Sequence, residues 1–323
     1  MNSAHQKITP SPTAVWRIRR RVLVYLIVFA LLLIAVMPRV DELKAGIKAL
    51  GTADARWMVV AVLGAVLTYF AAALGYVVLA KVKLRYMRSV AVQVAASFAN
   101  RLVPSGVGGL GLNVDYLMKQ GHKAPEATSV TAVNSAAAFF SYLLLLGSAL
   151  VVTQTSPRAM LSGASIPSWV AVAAPSALAC VIIILWSQKA LRQKVFKLAA
   201  DSWRHVQAYQ HSPLRLVSAV IVAALVTVFY VVTLYASAHA IGLSVTIIQA
   251  FAAYTIGTLV GAAVPTPGGL GGVEAGLYAG FIAAGYDPSL VVSAIIMYRL
   301  ITFWLPILPG YVSFWLLERH KNI

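Results

Sequence analysis

Apolar runs dominate the chain, and polar residues gather in short clusters between them. Residues 22–37, 57–80, 126–153, 168–186, 216–240 and 288–317 read as membrane spans, since a crossing helix takes about 20 residues. The first run is the shortest. Arg17, Arg19, Arg20 and Arg21 extend it by snorkelling, and no small-x-small cleavage site follows Met37, so a retained span is expected rather than a signal peptide. Residues 38–56 mix both charges and are expected to form an amphipathic segment at the outer surface. Pro306 and Pro309 are expected to kink the final third of the last span.

Two stretches break the pattern. Residues 89–103 are too short to cross; they meet VPSGVGGLGLNVDY at 103–116, and 110–121 leads away. Residues 245–264 run into VPTPGGLGGVEAGLYAGFIAAGYD at 264–287, and 272–285 departs. Lipid offers no partner to a freed backbone N–H or C=O, so Pro and Gly clusters at membrane depth imply broken helices buried in protein or lining a wet cavity. Each stretch is expected to be a re-entrant helical hairpin. A pair of full spans returns the chain to the same side, so only arm length favours re-entry.

Composition then fixes the class. Of 323 residues, 60% are apolar and 11% charged, against roughly a quarter charged in soluble domains. Mean hydropathy is +0.82. The expected fold is all-α, a polytopic membrane protein with about six full spans and two re-entrant hairpins. The net charge of +17 does not point to nucleic acid, because the basic residues sit in short clusters between spans. Those clusters mark one side: the first 21 residues, 81–88, 119–123, 187–215 and 319–321. The other side carries only Arg39, Lys44, Lys48, Arg56 and Arg158. By the positive-inside rule both termini are expected on the cytoplasmic side.

The expected organisation is a basic cytoplasmic tail at 1–21, one transmembrane domain at 22–317, and a short cytoplasmic tail at 318–323. The domain divides into halves at about 22–153 and 168–317, with a basic surface segment at 187–215. Each half reads span, span, hairpin, span, in opposite orientations. Tyr69-Phe70 and Gly108 to Gly111 return 160 residues later as Phe229-Tyr230 and Gly268 to Gly271. Inverted repeats of this kind underlie alternating access.

Candidate chemistry lies at the breaks. Gly268, Gly269, Gly271 and Gly272 precede a helix start, where close backbone approach and unpaired N–H groups suit a phosphate. The same glycines also suit tight helix packing, and both readings stand at this point. Pro265 and Pro267 end the incoming arm. Thr266 either caps freed backbone or meets a headgroup. Arg101, Asp115, Glu274 and Arg299 lie in or beside the breaks, and a bare charge at mid-bilayer costs at least ~2.5–3.5 kcal/mol. They form either two ion pairs, Arg101 with Asp115 and Glu274 with Arg299, or a polar cavity in which the arginines bind an anion bidentately. Asn100, Pro104, Ser105 and Asn113 flank the first break, and Tyr298 adjoins Arg299. No nucleophilic triad, metal cluster, nucleotide loop or cofactor motif is present, and the single Cys180 excludes an intrachain disulfide. No enzymatic activity is expected.

VPTPGGLGGVEAGLYAG with MYRLITFWLPILPGY at 297–311, and NRLVPSGVGG at 100–109, resemble the transmembrane region of the lysylphosphatidylglycerol synthase family. The resemblance spans about 22–317, without the aminoacyltransferase domain that bifunctional members carry. It implies a flippase, with Pro265, Gly268, Gly269, Glu274, Tyr298 and Arg299 matching the second motif. The first half departs from the family pattern, with Asn113 and Val133-Asn134-Ser135 where many members carry charge. The resulting expectation is a flippase for an anionic or zwitterionic phospholipid in a bacterial cytoplasmic membrane, working by alternating access. A small-solute or proton-coupled transporter, and a non-transporting subunit presenting lipid to a lipid-modifying enzyme, are the alternatives; an oligomer is compatible with each.

Overall fold

Long and short helices follow one another in a repeated order through the computed structural model, which describes residues 51, 53–103, 107–153, 212–263, 266, 268–320 and 322–323, with isolated positions between 193 and 209. All of these fall in one compact unit, Glu42–Ile323. The helices are α1 (Ala55–Leu79), α2 (Tyr86–Leu102), α3 (Val107–Lys119), α4 (Ala124–Thr153), α5 (Pro213–Ala240), α6 (Ile247–Ala263), α7 (Gly272–Ala283), α8 (Pro288–Arg299) and α9 (Ile307–Arg319), with a π-helical turn at Leu300–Trp304 between the last two. Among the described residues all regular structure is helical. The expected spans at 22–37 and 168–186, and most of the basic segment at 187–215, lie outside the described residues.

Among the described residues four helices are long and apolar enough to cross a membrane: α1, the first 25 residues of α4, α5, and the combined α8–α9 segment of 32 residues. Between them sit pairs of short helices. α2 and α6 have 17 residues each, or about 26 Å, against a hydrocarbon core of ~30 Å. α3 and α7, with 13 and 12 residues, are shorter still. The protein is a multi-pass membrane protein whose order long, short, short, long occurs twice.

Local chemistry explains the boundaries. Asp54 starts α1 by accepting the Arg56 N–H on Oδ1 at 2.8 Å. Asp287 starts α8 in the same way, accepting from the N–H groups of Ser289 and Leu290 at 2.9 and 3.2 Å, with Pro288 at the first helical position. The last span differs in one respect from expectation: its helix is interrupted at residues 300–304, in the turn before Pro306, rather than in its final third. Pro306 has no N–H to give the carbonyl of Thr302, four residues earlier. The helix widens before it, and Leu305 N–H reaches back five residues to Leu300 O at 2.8 Å.

Each short pair builds its own core. Val92 of α2, Tyr116 and Leu117 of α3, Val130 of α4, Leu79 of α1 and Leu317 of α9 bury one another. Leu234 of α5, Ala253 of α6, Leu277 and Phe281 of α7, and Val291 and Tyr298 of α8 form the second core. A third cluster of Ala61, Ala65, Ala236, Met297 and Ile301 ties α1 to α5 and to the last span. Small residues let these helices close on one another without a hydrophobic drive. At Gly276 a Cβ would lie 2.6 Å from the Ile256 carbonyl of α6, so α6 and α7 touch backbone to backbone.

Candidate functional site

α2, α5, the second short helix pair and the broken last span converge on one cavity of about 500 Å³. α2 contributes Ser97, Asn100 and Arg101; α5 contributes Tyr230; α6 contributes Tyr254, Thr258, Gly261 and Ala262. The glycine turn supplies Thr266, Gly268 and Gly269, followed by Val273 of α7, Tyr298 and Arg299 of α8, and Thr302 and Phe303 of the π turn.

Arg101 is buried, and backbone carbonyls hold it. Its Nε donates to Phe303 O at 2.9 Å, Nη2 to Thr302 O at 2.7 Å, and Nη1 to Ser97 O. Those carbonyls of the π turn are the ones that Pro306 and the widened helix leave without ordinary partners, and a guanidinium with five N–H groups can serve several at once. The pair with Asp115, one of the two arrangements left open by the sequence, does not form. Asp115 is half-buried on α3, lines no part of the cavity, and makes no hydrogen bond or ion pair with the described residues.

Arg299 does pair with Glu274, as the first of the two alternatives has it. Its Nε donates to Glu274 Oε1 at 2.7 Å, with the two side chains 11% and 20% exposed. Nη2 reaches Gly268 O at 3.3 Å. The remaining N–H groups make no hydrogen bond with the described residues, and the side chain lines the cavity. Both guanidinium groups lie over the ring of Phe303, at 5.2 Å for Arg101 and 4.9 Å for Arg299. Among the described residues the cavity wall thus carries two cations and no carboxylate, and Glu274 pairs with Arg299 from outside the wall. Such a space favours an anion.

The glycine turn presents its backbone to the protein. Gly268, Gly269 and Gly271 have φ of 62°, 67° and 85°, a region that side chains with a Cβ disfavour. Gly268 N–H donates to Asn100 O at 3.3 Å, which ties the second break to the end of α2. Gly269 N–H donates to Thr266 O, and Gly271 N–H to Glu274 Oε2 at 2.8 Å. The negative charge that the start of α7 attracts is therefore supplied by Glu274 itself, and these three N–H groups are taken. Thr266 donates its hydroxyl to Leu270 O, the backbone role expected of it, while also lining the cavity. Asn100 Oδ1 accepts from Gly109 N–H at 2.6 Å and holds α3 against α2.

Of the residues singled out in the sequence, Asn100, Arg101, Thr266, Gly268, Gly269, Tyr298 and Arg299 come together on the cavity. Glu274 and Gly271 stand behind them. Pro104, Ser105 and Pro265 lie outside the described residues. Sequence reasoning missed Ser97, Tyr230, Tyr254, Thr258, Thr302 and Phe303. Tyr230 and Tyr254 stack with centroids 6.0 Å apart, so the aromatic wall comes from two different helices. For Thr302 a signal existed: a proline four residues on strands its carbonyl in an apolar span. Among the described residues no group of three or more His, Cys, Asp or Glu is placed to hold a metal ion.

A family model for the lysylphosphatidylglycerol synthase TM region matches residues 22–310. No match was found among curated proteins. The family match runs through both short helix pairs and through the π turn, and so covers every element that lines the cavity. The chain belongs to the lysylphosphatidylglycerol synthase transmembrane-region family, a membrane domain with a lipid-related role.

Proposed function

We propose that this protein moves a phospholipid between leaflets, with the headgroup phosphate carried through the cavity on Arg299. One observation supports this most: an arginine fixed on one side by Glu274 keeps unspent donors on the side that faces a cationic cavity at the meeting point of two broken helices. A planar guanidinium with free N–H groups matches two phosphate oxygens at once. The tyrosine hydroxyls of Tyr230, Tyr254 and Tyr298 add polar contacts for the rest of the headgroup. Arg101 acts differently, holding the π turn and so setting where Phe303 and Arg299 stand.

The two short helix pairs are taken as re-entrant hairpins of an inverted repeat, with both termini cytoplasmic in a bacterial inner membrane. Access alternates as one half rocks against the other around the cavity. The test is translocation of a fluorescent phospholipid in liposomes containing the full chain, scored by a membrane-impermeant quencher. Wild type should exceed empty vesicles and Arg299→Ala should not. Wild-type rates equal to those of empty vesicles would remove transport as the function.

A further inference from the structure

A second, smaller cavity lies on the far side of the same ion pair. It measures about 290 Å³ and is lined by Glu274 and Arg299 together with apolar or aromatic neighbours, among them Ala275, Tyr278, Val292, Ile295 and Trp304. Arg299 borders both spaces, the chamber it shares with Arg101 and this groove. The groove opens outward, since Tyr278 is 39% and Val292 44% exposed on the surface of a membrane protein. Among the described residues its only charged ones are the two of the ion pair.

We infer that the groove is an acyl-chain site, and that one phospholipid straddles the Glu274–Arg299 pair with its phosphate in the chamber and a tail in the groove. This rests on the transport reading above and adds where the tail goes. The two spaces differ in the way the two ends of an amphiphile differ. A small hydrophilic anion satisfies the chamber and leaves the groove without a matching part. A hydrocarbon without charge satisfies the groove and leaves the two arginines of the chamber without an anion. A molecule with an anionic head joined to an apolar tail satisfies both, and the shared side chain of Arg299 is the point where its two parts meet. Glu274 keeps that point fixed: one oxygen holds Arg299 and the other holds the Gly271 N–H, so the carboxylate is braced against the start of α7.

The test uses the full chain in phosphatidylcholine vesicles, with p-benzoylphenylalanine placed at Val292 in the groove. A second sample carries it at Phe140, which is 60% exposed on α4, as a lipid-facing control. Trace radiolabelled phosphatidic acid and diacylglycerol, which differ only in the phosphate, are cross-linked in turn. Phosphatidic acid should label Val292 about tenfold more than diacylglycerol does, the value of a charge-assisted contact to Arg299. At Phe140 the two should label alike, and Arg299→Gln should abolish the preference at Val292. Ala275→Phe, which fills the groove and leaves the ion pair in place, should bring Val292 labelling down to the Phe140 level, so the inference stays testable if Arg299→Gln fails to fold. Equal labelling by the two lipids at Val292, or a preference that survives Arg299→Gln in folded protein, overturns it. Translocation without selective labelling at Val292 overturns the groove alone. Selective labelling without translocation overturns the transport reading alone.

Discussion

The guanidinium of Arg101 donates to the carbonyl of Thr302 at 2.7 Å, across 201 positions of sequence. That carbonyl has no helical donor, because the residue four places on is Pro306. One arginine at the end of α2 therefore replaces the hydrogen bond that a proline removes from the last span. The same side chain serves Phe303 O, and so fixes the ring on which Arg299 also rests.

Arg101→Ala strands these buried acceptors and should destabilise the protein by about 2–4 kcal/mol, read as a lowered unfolding midpoint in detergent. Pro306→Ala returns an N–H to Thr302. In the double variant the loss should be smaller than the sum of the single losses by about 1 kcal/mol. Strict additivity would mean that Thr302 does not depend on Arg101.

The pair of Glu274 and Arg299 predicts an order among variants. Glu274→Ala leaves a part-buried arginine without its carboxylate and should cost about 3 kcal/mol. Glu274→Gln keeps one acceptor oxygen for two donors, Arg299 Nε and Gly271 N–H, and should fall between wild type and Ala. The double variant Glu274→Ala with Arg299→Ala should lose less than the two single changes together. Thermal unfolding of the four proteins checks the order.

Two glycines in helices should respond in opposite ways. At Gly111 of α3 an added Cβ meets nothing within 4 Å, and Gly111→Ala should stabilise by about 0.5–1 kcal/mol. At Gly276 it meets the Ile256 carbonyl at 2.6 Å and Gly257 Cα at 2.7 Å, which are backbone and cannot rotate away. Gly276→Ala should destabilise by about 1–3 kcal/mol. Unfolding midpoints of the two variants carry this comparison.

Asp287 gives a pH dependence. The Ser289 hydroxyl, and then the Leu290 N–H, hold its carboxyl below the usual carboxylate range. A depressed carboxyl stabilises the fold fully above its unfolded value of ~3.9, and this is lost as pH falls through the lower folded value. Asp287→Ala should therefore lower the unfolding midpoint at neutral pH, and the gap to wild type should narrow as the pH drops below ~4. A gap that does not change with pH contradicts the role as a charged cap.

Much of the fold was legible because apolar length is a local property. The expected segments at 57–80, 126–153 and 216–240 reappear as α1, α4 and α5 with ends moved by no more than a few residues, and the two Pro/Gly breaks do separate pairs of short helices. The Glu274–Arg299 pair was also legible, as two charges in the same half of an apolar chain. Arg101 was not. A reading by charge looks for a carboxylate, whereas the partners here are carbonyls freed by a proline some two hundred residues away. The aromatic wall was hidden for a related reason: Tyr230 and Tyr254 sit in ordinary apolar runs, and only the packing of α5 on α6 brings their rings together.

The position of a phospholipid phosphate relative to Arg299 tests the central claim most directly. Electron cryo-microscopy of the full chain in nanodiscs containing phosphatidic acid should show headgroup density inside the cavity, within about 3 Å of the Arg299 guanidinium, with Glu274 still paired behind it. Headgroups confined to the bilayer surface, with Arg299 meeting only Glu274 and Gly268 beside a water-filled cavity, would contradict it.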